Sequence, residues 1–283
     1  MLTDDITKSI NEFVYKQPRT IKEISELLKC SWLTADRYVS HISEKYGTVK
    51  TRVFRGGTKG ALKIVYCTNH EAMGQSSAQQ ILLEKIRQAK RKQDFNPFDI
   101  FNLVSPDKRD VRIIRTEKPE EQELVKLLRE TQKQLFIFSG NISFINQKEN
   151  GIGLFGILLE LAKKRVSIKI LCRVDIASVK NIQNILGINK ILGYNIVEIK
   201  HSEQPLRGFV VDDKMIRLRD EKKKQDYKEG ELSCNTYILY DIYEREWTEW
   251  LEKVFWNIYS NSLPVETRLS DLEYLEELMI SIR

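Results

Sequence analysis

The chain has 283 residues, 41% of them apolar and 30% charged, with 46 Lys and Arg against 40 Asp and Glu for a formal net charge of +6. That composition excludes a globally disordered chain and, at this length, points to two domains. No run of about 18 apolar residues occurs, and the start MLTDDITKSINEF lacks the basic-then-apolar order of a secretory signal, so a cytoplasmic protein is expected.

Residues 5–15 place Ile6, Ile10, Phe13 and Val14 at helical spacing, and Pro18 ends that element. Thr20 with Glu23 forms a capping box ahead of Ile21, Ile24, Leu27 and Leu28. Ser31 is placed to cap a third helix with the stripe Ala35, Val39 and Ile42, stopped by Gly47. Residues 48–55 and 61–67 alternate like strands around the glycine-rich segment 56–60. Three helices and a hairpin in this order predict a winged helix-turn-helix over residues 1–70.

The third helix turns Thr34, Arg37, Tyr38, His41 and Lys45 away from its apolar stripe, with Ser31 and Trp32 at its leading end. Such a helix fits the major groove of double-stranded DNA, where base edges present distinguishable donors and acceptors. Lys50, Arg52, Arg55, Thr58, Lys59 and Lys63 on the hairpin are placed to meet phosphates. Trp32 and Tyr38 are equally compatible with a place in the core. A wing that binds protein, in a protein-interaction module, is the alternative use of this surface.

Residues 71–118 read as a basic helix and linker. Ile81, Leu82, Ile86 and Ala89 share a face over 76–93, followed by Arg87, Lys90, Arg91 and Lys92 as a cationic end. That end suits phosphate contact, a dimer helix, or simply the helix dipole. The segment NPFDIFNLVSPDKRD breaks regularity and is expected to hold the domain junction, and VRIIR at 111–115 is a short strand of either domain. Residues 1–118 hold 22 Lys and Arg against 14 Asp and Glu, whereas 119–283 hold 24 against 26. A basic front on a neutral back suggests a polyanion reader joined to a second function.

From 119 to 262, strands LFIFS, VSIKILCRV, NIVEIK and TYILY alternate with helices, and RGFVVDDKMIRL is a hairpin turning at Asp212, Asp213 and Lys214. This order predicts an α/β fold with a partly parallel sheet. Ser139, Gly140 and Asn141 follow the first strand, at the edge where α/β sheets bind ligands. EKKKQDYKEGE at 221–231 reads as a solvated loop, and residues 263–283 as a helical tail whose acidic residues pack over the basic linker of the same or another subunit. Cys30, Cys67, Cys172 and Cys234 show no ligand spacing, and His41, His70 and His201 are the only histidines, so no metal or other cofactor is expected.

The run PLRGFVVDDK, in that strand order, resembles the phospholipase D-like superfamily. The family's His-x-Lys-x4-Asp motif matches Pro205, Arg207 and Asp212 here. The aspartate is kept, the lysine is arginine, and the nucleophilic histidine is absent. The downstream Gly-Ser motif falls near Arg219 and Asp220 and is absent too. The resemblance therefore implies a domain without catalysis, in which Arg207 either holds an anion or pairs with Asp212 or Asp213. A phosphodiesterase or nuclease with a relocated role for His201 is the enzyme alternative. A winged helix joined to such a half-domain is similar to archaeal transcription regulators of the TrmB type. That likeness implies a homodimeric DNA-binding regulator whose second domain pairs subunits or senses a small-molecule effector.

Overall fold

The structure, a computed structural model, describes residues 2–55, 61–67, 75–115, 124–146, 148–149, 152–227, 232 and 234–281. Helix α1 (Asp4–Lys16) is capped by Thr3, whose hydroxyl accepts from the Ile6 N–H at 3.3 Å, and buries Ile10 and Val14. Strand β1 (Arg19–Thr20) leads into α2 (Ile21–Leu27). The Thr20–Glu23 capping box is formed in both directions, at 3.3 and 2.7 Å. Lys29 takes a left-handed φ of 51° in the turn before α3 (Trp32–Lys45). Ala35, Val39 and Ile42 of α3 are fully buried, and Gly47 follows its end at φ 61°. The hairpin β2 (Val49–Arg55) and β3 (Ala61–Cys67) completes a sheet of order β1-β3-β2. Thr58 and Lys59, expected at its tip, lie outside the described residues.

Alternation sends the two faces of this hairpin to different cores. Val49, Val65 and Cys67 join the N-terminal helices. Phe54, Leu62 and Ile64 join a second core with α4 (Gln75–Gln88) and α5 (Phe98–Leu103). The ring of Phe54 meets Phe98 edge-on at 6.0 Å, and Tyr66 meets Phe98 at 5.3 Å. The stretch expected to be irregular linker is therefore ordered by its aromatics. Phe95, Phe98 and Phe101 are buried because the hairpin and the large sheet enclose them from both sides.

The chain continues through β4 (Arg109–Arg115), α6 (Leu124–Arg129), β5 (Gln134–Phe138), β6 (Lys148–Glu149), β7 (Ile152–Gly153), α7 (Leu154–Lys163) and β8 (Ser167–Cys172). Then come α8 (Val179–Leu192), β9 (Val197–His201), β10 (Gly208–Val211), β11 (Met215–Lys222), β12 (Thr236–Ile242), α9 (Arg245–Ser260), β13 (Leu263–Pro264) and α10 (Val265–Ser281). Strands β6 and β7 pair with each other. The other eight form a mixed sheet of order β13-β9-β8-β5-β10-β11-β12-β4. Strands β5, β8 and β9 run parallel, and β10 turns antiparallel against β5. The VRIIR segment is β4, the outer strand paired with β12.

Both faces of the sheet are covered, and β5 shows why. Leu135 and Ile137 face an aliphatic core with α6, α7, α8 and α10. Phe136 and Phe138 face an aromatic core with α4, α5, α9 and the hairpin. A continuous apolar strand of this kind belongs in the middle of a two-sided sheet.

Two expectations are corrected here. Helix α10 buries Val265 and Leu272 in the aliphatic core, so within one chain the tail lies on the face opposite the basic helix and does not cover the linker of its own subunit. Residues 221–227 are not simply a solvated loop, because they brace the N-terminal unit. Glu221 pairs with Lys92 at 2.6 Å, and the Lys22 ammonium lies 4.3 Å from the Tyr227 ring centre.

Candidate functional site

Two surfaces collect the chemistry-bearing residues. The first is the outer face of α3. Ser31 caps it, accepting from the Thr34 N–H at 3.2 Å and sharing a 2.8 Å hydroxyl contact with Thr34. Arg37, His41 and Lys45 are exposed along one stripe, and Trp32 is 42% exposed at its leading end. The Lys45 ammonium sits 5.0 Å from the Tyr46 ring centre. Tyr38 is half-buried and packs against the N-terminal core.

The hairpin cations are less uniform. Lys50 is exposed. Lys63 points back to α3 and pairs with Asp36 at 2.6 Å. Arg52 lies on the opposite hairpin face, 5.0 Å from the Phe101 ring centre, and packs into the joint between the two halves of the molecule. Strand alternation decides this, since Arg52 and Phe54 share a face. The Arg55 backbone ends β2, and its side chain lies outside the described residues.

The second surface is a polar cleft of about 750 Å³ between the connector after α4 and the carboxyl ends of β5 and β8. It sits beside the change from parallel to antiparallel order, a position where open α/β sheets bind ligands. Ser139, Gly140 and Asn141 line it, as their place after the first strand predicts. The Ser139 hydroxyl accepts from the Ile142 N–H at 3.1 Å, and its carbonyl accepts from the Gln204 amide at 3.0 Å. Arg173, Arg207 and Arg219 line the same cleft, and Lys90, Arg91 and Lys92 face them from the connector. Sequence reading missed Arg173 and Arg219. Arg173 directly follows the parallel strand VSIKILC, which is the signal that marks it.

The family-motif positions are split by the fold. Pro205 and Arg207 stand at the cleft, before β10. Asp212 stands past the other end of β10 and is 1% exposed. Its carboxylate accepts from the N–H groups of Gln132, Lys133 and Gln134 at 2.8–3.0 Å. The pairing of Arg207 with Asp212 or Asp213 is thus overturned. Arg207 Nη1 donates to the carbonyls of Gln204 and Leu206, at 3.0 and 2.6 Å. Burial and the neighbouring Arg173 push its pKa down to about 10. Gly140 makes room for it, since a Cβ there would stand 3.1 Å from Nη2.

His201 lies at the end of β9, where its Nδ1 accepts from the Val174 N–H at 2.9 Å. That bond leaves the proton of the neutral ring on Nε2, so neither nitrogen offers an unoccupied lone pair. Burial, then Arg268, lowers its pKa and favours this neutral form. The buried Cys172 thiol has its pKa pushed up to about 12, chiefly by desolvation, which keeps it protonated. Among the described residues no cluster of three or more His, Cys, Asp or Glu is arranged to hold a metal ion. Among the same residues, no helix is long and apolar enough to cross a membrane.

The fold is thus a mixed α/β architecture, with three helices and a hairpin docked on a two-sided mixed sheet. No family model matches the chain, and no curated protein does. Solved structures similar to it include TrmBL2, an archaeal chromatin protein, at 12% identity and a TM-score of 0.41, covering 93% of this chain and 95% of that one. Nuc, a phospholipase D family member from Salmonella typhimurium, gives 11% and 0.39, covering 56% of this chain and 98% of its own. NucT from Helicobacter pylori gives 9% and 0.38, with coverages of 56% and 99%. Likenesses this loose transfer neither activity nor partner.

Proposed function

We propose that this chain is a DNA-binding transcriptional regulator acting as a homodimer. In this reading the N-terminal unit is a winged helix-turn-helix. The sheet domain is a catalytically inactive domain of the phospholipase D-like type, used for pairing subunits or sensing a ligand. The observation that carries the reading is the exposed stripe of Arg37, His41 and Lys45 on α3, led by Trp32. At 14 residues α3 is about 21 Å long, long enough to lie in a major groove. Its inner face is fully committed to the core, so the polar stripe is held in one orientation. Inactivity is supported by proline at the position of the family's nucleophile and by the engaged Nδ1 of His201.

The test is fluorescence anisotropy of purified protein on genomic duplex fragments, followed by footprinting. Binding that weakens steeply with salt is expected. Two protected half-sites one or more helical turns apart would report the dimer. Arg37→Ala should weaken specific binding by about tenfold and relax specificity. Failure to bind any duplex DNA at low salt overturns the reading. Cleavage of plasmid or a chromogenic diester that is lost in His201→Ala overturns the inactive assignment.

A further inference from the structure

The outer face of α3 carries one side chain that its cation stripe does not explain. Leu33 is 75% exposed, the most exposed large apolar residue among the described ones. It is not isolated. Trp32 beside it and Leu27 at the end of α2 are exposed as well, one after and one before the turn that joins the two helices. That turn is tight, with the Cys30 N–H donating to the Ser25 carbonyl at 3.0 Å. Helical spacing puts Leu33, Arg37, Ser40 and Glu44 on the face opposite the buried Ala35, Val39 and Ile42. Leu33 therefore stands one turn ahead of Arg37, on the side of α3 farthest from its own core, and the other residues of that face are polar.

The surroundings of Leu33 select the chemistry of what covers it. Lys29 and Arg37 are exposed to either side of it in the chain. The nearest carboxylates in the chain, Glu26 and Asp36, are held by Lys22 at 3.5 Å and by Lys63 at 2.6 Å. An apolar spot inside a cationic rim suits a partner that is anionic at its edges and apolar between them. The major groove of duplex DNA has that pattern, with phosphates along both edges and the thymine C5-methyl as the apolar group among its base edges.

We propose that Leu33 is a specificity-determining residue that packs on a thymine C5-methyl in the major groove, while Arg37 reads a guanine within about two base pairs of it. Four residues of helix rise about 6 Å, against about 3.4 Å per base pair, which sets that separation. Trp32 points about 100° round the helix from Leu33, so it flanks this contact and does not share it. The leading residues of a recognition helix are the ones that reach base edges, and Glu44 stands about 16 Å further along α3, clear of them. This contact rests on the DNA-binding reading of α3 and adds to it the base that the helix selects.

The experiment is fluorescence anisotropy of the full chain on the footprinted duplex and on copies in which each thymine is replaced in turn by deoxyuridine. That exchange removes the methyl, keeps the base pairing and leaves the protein untouched. At one thymine position of the half-site it should weaken binding by about threefold or more. Leu33→Ala should weaken binding to the thymine duplex by about the same factor and should bind the thymine and uracil duplexes equally. Alanine at this exposed helical position leaves folding intact, which the thermal unfolding midpoint checks. Arg37→Ala should keep the preference for thymine over uracil while losing the preference for guanine. Equal binding of the wild type to all the thymine and uracil duplexes overturns the assignment, as does a footprint without thymine. A Leu33→Ala variant that still prefers thymine overturns it too. Failure to bind any duplex DNA removes the regulator reading itself, whereas DNA binding indifferent to the methyl removes only the role of Leu33.

Discussion

The cations of α3 and the cations of the sheet domain are held in opposite ways. Arg37 and Lys45 stand in solvent on a helix whose other face is core. Arg217 is 3% exposed and forks onto Asp241, with Nε at 2.7 Å and Nη2 at 2.8 Å, while Arg112 reaches the same carboxylate at 2.5 Å. The first set is free of structural duty and adaptable, as groups that meet an external polyanion need to be. The second set fixes strand positions behind the cleft. The same residue types thus serve recognition or architecture according to burial.

The largest effect should come from breaking the buried set. Asp241→Ala leaves Arg217 unpaired inside the sheet and should cost about 4 kcal/mol in urea unfolding. A loss below about 1 kcal/mol would mean that the pair is solvated and the contrast is false. Phe54→Ala attacks the joint between the two regions. It removes a buried ring from Phe98 and Tyr240 and should cost about 3 kcal/mol. Because the hairpin is shared by two cores, separate unfolding transitions should then appear in calorimetry.

The next prediction concerns Asp99, which is buried in α5 with the Lys85 ammonium at 3.7 Å. Burial raises its pKa from 3.8 to about 6, against the pull of Lys85. The folded state therefore holds a proton that the unfolded chain releases between those values. Its contribution is most favourable below about pH 4 and declines as pH rises to about 6, by on the order of 2–3 kcal/mol. Stability curves of wild type and Asp99→Asn should run close together below about pH 4 and separate as pH rises to about 6, wild type falling relative to the variant, and parallel curves would show that Asp99 keeps an ordinary pKa. The smallest effect belongs to Arg37→Ala, which should change stability by less than about 0.5 kcal/mol. That near-silence in unfolding, beside a tenfold loss on DNA, is the sharpest form of the comparison.

Local order was readable from residues alone wherever neighbours in the chain decide it. The Thr20–Glu23 box, the Ser31 cap, the Gly47 stop and the alternation of the hairpin are short-range hydrogen bonding and periodicity. The stripe on α3 follows from the same periodicity. Ser139, Gly140 and Asn141 were placed at a ligand edge because strand ends in α/β sheets share that property. What the chain order concealed is pairing over long separations. Nothing local to Arg52 or Lys63 shows that one packs on Phe101 and the other on Asp36. Nothing local to Glu221 shows a partner 129 residues away.

By itself, then, the sequence determined the helices, the hairpin, the alternating sheet elements and the proline at position 205, since each is a matter of residue type and spacing. Only the tertiary structure decided that the hairpin is a wall between two cores. It also separated Arg207 from Asp212 across β10, and gathered Arg91, Arg173 and Arg207 around one cleft. The physical reason is that side-chain charge acquires its role from what surrounds it. Those surroundings are assembled by strand order and burial, not by neighbouring letters.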